Sequence, residues 1–153
     1  MNNRVEVLRD NIEGLALNNN QACTLYVKEH MYSVSNFAAM IAVKRELDPE
    51  IATMIGLLHD INTLLHGYQE KHALLGSVIA REILLELDIV SKEELETICT
   101  AVKYHSKKRK VHDEYSELAK DADVLSHYFD NVTLPVIEKD RLRLEALRVE
   151  FGF

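Results

Sequence analysis

Apolar residues recur along the chain at intervals of three and four, the spacing that gives a helix one apolar face. Val5, Leu8, Ile12 and Leu15 mark a first helix, closed by Asn18, Asn19 and Asn20. A second runs from about Ala22 to Leu47, with Tyr26, Val27, Val34, Phe37, Met40 and Ile41 as candidate core residues. Asp48, Pro49 and Glu50 form a helix start: an Asp N-cap, a Pro in the first turn and an acid facing the helix dipole. The helix they open is almost continuously apolar from Ile51 to Leu58, carries His59, and ends around Asn62 to Gly67. A fourth helix spans about Lys71 to Leu87. Ser91, Lys92, Glu93 and Glu94 read as a capping box opening a fifth, which continues to His105. After a basic loop from Ser106 to His112, a sixth helix covers about Glu114 to Asp130, with Pro135 as its breaker. A charged amphipathic helix follows from about Glu138 to Val149. No alternating strand pattern stands out, so the expected class is all-α: a compact bundle of about six to seven helices.

Composition narrows this further. With 153 residues and 47% of them apolar, the chain can fill one sizeable core, and a single domain over 1–153 is expected. Only 5 Gly and 2 Pro are present, too few turn residues for a β-sandwich. Cys23 and Cys99 cannot build a disulfide framework and read as small core residues. The net charge of −7 argues against general nucleic-acid binding, which needs a basic face. No apolar run approaches the roughly 20 residues that cross a bilayer. The polar start, with acids at Glu6 and Asp10, resembles neither a secretory nor a transit signal. A cytoplasmic protein without a membrane partner is the expectation.

Seven histidines are the unusual count, and they direct attention to chemistry. His30, the adjacent pair His59 and Asp60, and Asp123 fall on three different expected helices among apolar neighbours. A carboxylate beside a core is costly unless a cation compensates it. Two imidazoles and two carboxylates make a mixed N/O donor set, suited to Mn²⁺, Fe²⁺, Co²⁺, Ni²⁺ or Zn²⁺ and poorly suited to Ca²⁺. On these residues alone the alternative stands open: one buried histidine is usually satisfied by a hydrogen bond, and an HD dipeptide is met by chance in many chains.

The ordered set does more than the dipeptide. His30, then Leu57-Leu58-His59-Asp60-Ile61, then His72, His105 and Asp123, resembles the HD-domain superfamily of metal-dependent phosphohydrolases over roughly residues 25 to 130. The resemblance implies an HD-domain-like helical bundle with a core of about 20–133 and flanking N- and C-terminal helices. It also implies a divalent metal held by His30, His59, Asp60 and Asp123, with Asp121 as the fallback for the last. The activity implied is cleavage of a phosphate ester, of a nucleotide or related small molecule, by a metal-activated water. Asp60, His72 and His105 would be catalytic: Asp60 orients the water, and the two histidines position phosphate or assist proton transfer rather than hold a second ion, for which there is nonetheless room. Lys103, Lys107 and His127 are the expected substrate contacts, the lysines belonging to a basic run around His105. A second reading keeps the site without turnover, as a metal- and nucleotide-binding regulatory module; homo-oligomerisation is compatible with either. Ser33 stands where many members carry Arg or His, and Asn62-Thr63 departs from the common continuation of the dipeptide. Ser106-Lys107-Lys108 replaces the signature of the cyclic-dinucleotide subclass, which argues against that subclass. His66 and His112 carry no motif support and are expected at the surface.

Overall fold

The computed structural model describes residues 3–19 and 23–153. Among these there are eight helices and no strand: α1 (Arg4–Leu17), α2 (Thr24–Lys44), α3 (Pro49–Leu58), α4 (Ile61–His66), α5 (His72–Leu87), α6 (Lys92–Tyr104), α7 (Glu114–Asp130) and α8 (Glu138–Phe151). The fold is all-α, as the periodicity predicts. The expected contributions of Asn20 and Ala22 lie outside the described residues. Among the described residues no helix is long and apolar enough to cross a membrane.

The starts of these helices follow from local chemistry. Asp48 accepts from the backbone N–H groups of Glu50 and Ile51 ahead of Pro49. Ser91 and Glu94 close a reciprocal capping box, and Asp113 caps α7 through Ser116 N–H. Each satisfies donors that a helix end leaves unpaired.

α3 lies at the centre, packed by α1, α2, α6 and α7. Ile51, Met54, Ile55, Leu57 and Leu58 are all buried, which is why the helix reads as apolar on every side. On α2 the buried stripe is Val27, Met31, Val34, Ala38 and Ile41. Tyr26 and Met40 were expected in the core from their apolar character, but each sits one position off that stripe and is exposed. Arg4 ties α1 to the starts of α3 and α6 through Glu50 and Glu94. Arg143 ties α8 to α7 through Glu117 and Asp121.

Two features position the site. First, α2 and α3 cross at backbone contact: a Cβ on Gly56 would stand 2.4 Å from Ser35 Cα. Second, the helix expected to run on past His59 breaks there. α3 ends at Leu58, Asp60 takes φ −113°, ψ 24°, and α4 restarts at Ile61. This break makes the count eight rather than six to seven. In an unbroken helix neighbours diverge by about 100° and do not face each other; the break lets His59 and Asp60 turn to one spot.

Gly56→Ala is expected to destabilise the protein by about 1–3 kcal/mol or more, because two helix backbones must separate. Gly14→Ala on α1, where an added Cβ meets nothing within 4 Å, should be neutral or stabilising by up to about 1 kcal/mol. Urea denaturation of the two variants against wild type checks both signs.

Candidate metal centre

Five imidazoles approach two carboxylates from five elements. His30 comes from α2, His59 and Asp60 from the α3–α4 break, His72 from the start of α5, His105 from the end of α6, and Asp123 with His127 from α7. Each ring is held by its Nδ1. His59 Nδ1–H donates to Gly56 O at 2.7 Å, and His105 Nδ1–H to Val102 O at 2.7 Å. His72 donates to Gln69 O at 3.1 Å, and His127 to Asp140 Oδ2 at 3.2 Å. Carbonyl and carboxylate oxygens only accept, so these four Nδ1 atoms carry the hydrogen. His30 Nδ1 lies 3.1 Å from Ser126 Oγ, whose own hydrogen goes to Ser33 Oγ. In the neutral rings, every Nε2 therefore presents a lone pair, the state of a metal-ligating histidine.

Those Nε2 atoms converge. His30 Nε2 lies 3.3 Å from His59 Nε2, 3.0 Å from Asp123 Oδ1 and 3.9 Å from Asp60 Oδ2. His59 Nε2 lies 3.5 Å from Asp60 Oδ2 and 3.9 Å from Asp123 Oδ1. Two acceptor nitrogens facing each other beside two carboxylates repel unless a cation stands among them. Donors about 2.1 Å from one ion and at right angles lie about 3.0 Å apart, and opposite ones about 4.2 Å; the observed separations fall within this range. His30, His59 and Asp60 form one group that could hold a divalent metal ion, and His30, Asp123 and His127 form another that shares the His30 ring.

Asp60 has a second side. Its Oδ1 lies 3.6 Å from His72 Nε2 and 3.5 Å from His105 Nε2, and is buried without a hydrogen-bond partner among the described residues. Asp60, His72 and His105 form a group that could itself hold an ion, so Asp60 offers one oxygen to each group. Asp121, the fallback ligand, faces away and pairs with Arg45 and Arg143.

The expected lysine contacts lie elsewhere than the cavity. Lys103 is exposed over the Tyr104 ring and Lys107 is exposed in the loop. Lys108 turns inward instead: it is 7% exposed, donates to His105 O and pairs with Asp123 Oδ2. Lys108 and Lys139 line a cavity of about 220 Å³ with Asp60, His72, His105 and Asp123. In sequence Lys108 is one of five cations in a run, and only its place in the loop after α6 separates it from Lys107. His66 is exposed, while His112 is half-buried against Tyr104 and Lys120.

Burial sets the protonation states. It pushes the His59 pKa down to about 4, leaving the ring neutral at pH 7. It lowers His72 as well. Burial works to raise Asp60, while any proton taken up by the facing His59 or His105 ring lowers it, and the balance leaves the carboxyl well below its ordinary range. Burial likewise opposes the charge of Asp123, which the Lys108 ammonium keeps ionised. His127 is raised by its bond to Asp140.

Comparison with known proteins agrees with the geometry. The HD domain profile matches residues 27–128, which holds all of the converging residues named above except Lys139 and Asp140. The chain belongs to the HD domain family, within the superfamily of metal-dependent phosphohydrolases. It is similar to Ribonuclease Y of Lawsonia intracellularis, 29% identical over 133 residues that cover 86% of this chain and 24% of the relative. Ribonuclease Y of Petrotoga mobilis is 28% identical over 122 residues, 79% of this chain and 22% of the relative. That of Clostridium botulinum strain Hall is 39% identical over 57 residues, 37% of this chain and 11% of the relative. The chain thus spans less than a quarter of the length of these curated relatives. No solved structure matches it.

The unfolded chain takes up a proton on His59 as pH falls below 6.5; the folded chain does so only near 4. The His59 contribution to the stability of ion-stripped protein should therefore fall between these pH values, by up to about 1.4 kcal/mol per pH unit, and level off below. His72 adds in the same direction, whereas His127, with its raised pKa, contributes stability that is fully present below 6.5 and is lost only as pH rises through its folded pKa, above this window. Urea titrations from pH 7 to pH 4 should show a shallower loss in His59→Gln than in wild type.

Proposed function

We propose that the chain hydrolyses a phosphate ester, of a nucleotide or related small molecule, using a divalent ion held by His30, His59, Asp60 and Asp123. The convergence of the His30 and His59 Nε2 atoms on the half-buried Asp60 and the buried Asp123 carboxylates is the observation that carries this reading. Asp60, His72 and His105 would hold a second ion in the same cavity, or, with that position empty, contact phosphate directly. When bound, such an ion supplies a Lewis acid and a water acidic enough to act near neutral pH.

The chain's own residues do the remainder. Asp60, with one oxygen free of hydrogen bonds, orients the attacking water and accepts its proton. Lys108, beside Asp123, and Lys139 line the same cavity and would meet the charge developing on phosphoryl oxygens bound there. Beyond His127 lies a more apolar cavity of about 180 Å³, with Val124, Leu134, Val136, Ile137 and Leu144 on its walls. It would take the ring system of the leaving group. Ribonuclease Y bears the name of an enzyme cutting RNA phosphodiesters, and the reading here shares the phosphoester bond but places a small molecule in the site.

The regulatory-module reading draws on one observation: Lys108 already neutralises Asp123 without an ion. A screen separates the two. Protein loaded with Mn²⁺, Co²⁺, Ni²⁺ or Zn²⁺ is offered nucleoside phosphates, cyclic nucleotides, a short RNA and aryl phosphate mono- and diesters. Turnover that falls on the order of 10²–10³-fold or more in Asp60→Asn is expected. Turnover retained in Asp60→Asn would place the chemistry elsewhere, and tight ion and nucleotide binding with no product would favour the module.

A further inference from the structure

The support of His127 comes from outside the family match. Asp140 stands in the first turn of α8, past residue 128 where that match ends. Its side chain is 3% exposed. Its Oδ2 accepts from His127 Nδ1–H at 3.2 Å, and its Oδ1 is buried with no hydrogen-bond partner among the described residues. The dipole of α8 favours an acid in that turn. It does not replace the cation that an enclosed carboxylate normally has for company.

The far nitrogen of the same ring points to where a cation would lie. His127 Nε2 is 3.4 Å from Asp123 Oδ1, the oxygen that His30 Nε2 also approaches. The His127 and His30 rings are stacked, with centroids 5.0 Å apart and planes 4° from each other. His30, Asp123 and His127 each offer one ligand atom, all within 4.8 Å of one another.

We infer that His127 is a fifth protein ligand of the ion held by His30, His59, Asp60 and Asp123, and that Asp140 is the residue that positions it. The inference rests on the metal centre proposed above. A carboxylate behind a ligating imidazole fixes both its tautomer and its orientation, and loss of such a carboxylate weakens metal affinity about 10–100-fold. Two consequences follow from the placement. A fifth protein ligand leaves a six-coordinate ion one open position, so that water and substrate would compete for it or share the neighbouring group around Asp60 Oδ1. The docking of α8 also becomes part of the metal centre rather than an appendage to it.

Titration calorimetry with Mn²⁺ and visible absorption of the Co²⁺-loaded full chain test this without reference to activity. The variants are His127→Gln, Asp140→Asn and, as a control away from the centre, His66→Ala, each checked for its helical circular dichroism. Binding is expected to weaken at least about 10-fold in His127→Gln and about 10-fold in Asp140→Asn, with none in His66→Ala. The Co²⁺ bands of His127→Gln should shift and intensify or weaken as one nitrogen ligand is lost. Wild-type affinity and an unchanged Co²⁺ spectrum in His127→Gln would overturn the ligand assignment while leaving the four-residue centre intact; His127 would then be an imidazolium bridge between Asp140 and Asp123. Weakening in His127→Gln with none in Asp140→Asn would overturn the positioning role alone. Wild-type protein that binds neither ion would overturn the centre itself, and this assignment with it.

Discussion

Two ionised carboxylates, the half-buried Asp60 and the buried Asp123, face one cavity, and the rest of the molecule is arranged around the cost of keeping them charged. Burial alone would protonate both. Lys108 meets one oxygen of Asp123, and imidazoles crowd the remaining oxygens. The imidazoles are themselves pinned through Nδ1 to groups that can only accept or that pass their hydrogen elsewhere. The nitrogens left facing the carboxylates are lone-pair donors. A cluster of this kind is electrostatically incomplete as a set of protein atoms and complete once a cation enters it, which is why the site carries the functional reading.

The fold supplies the convergence by two local devices. A glycine lets α2 and α3 touch at their backbones, bringing His30 and His59 within one coordination distance. The two-residue break after Leu58 turns adjacent residues to a common point, which a continuous helix forbids. Gly56 serves twice, since its carbonyl also fixes the His59 ring. Close packing of the central helix and orientation of the ligands are thus one structural problem with one solution, and a change that loosens the crossing would loosen the site.

Much of this was legible in the sequence, for physical reasons that differ by element. The caps at Asp48 and Ser91 announce themselves because their chemistry is local. The choice of Asp123 over Asp121 followed from the resemblance and the residues after it, and the structure places Asp123 by His30 while Asp121 meets Arg45 and Arg143. The break at His59–Asp60 was not legible, because no Pro or Gly marks it and tertiary packing decides it. The sequence points to Lys103 and Lys107 rather than to Lys108: a basic run shows that cations are near, but which one turns inward depends on the course of the loop after α6. Asp140 gave no signal at all, being one acid among many on a charged helix until α8 docks and buries it. Tyr26 and Met40 show the remaining error, a core assignment by residue type where the helical stripe runs one position away.

The central claim is that residues from α2, the α3–α4 break and α7 share one ion. Anomalous diffraction from crystals of the full chain grown with Mn²⁺ addresses it directly. The account predicts an anomalous peak between His30 Nε2, His59 Nε2, Asp60 Oδ2 and Asp123 Oδ1, within about 2.0–2.3 Å of each. Mn²⁺ bound only at surface carboxylates, with Lys108 still paired to Asp123 and the four side chains unligated, would contradict it.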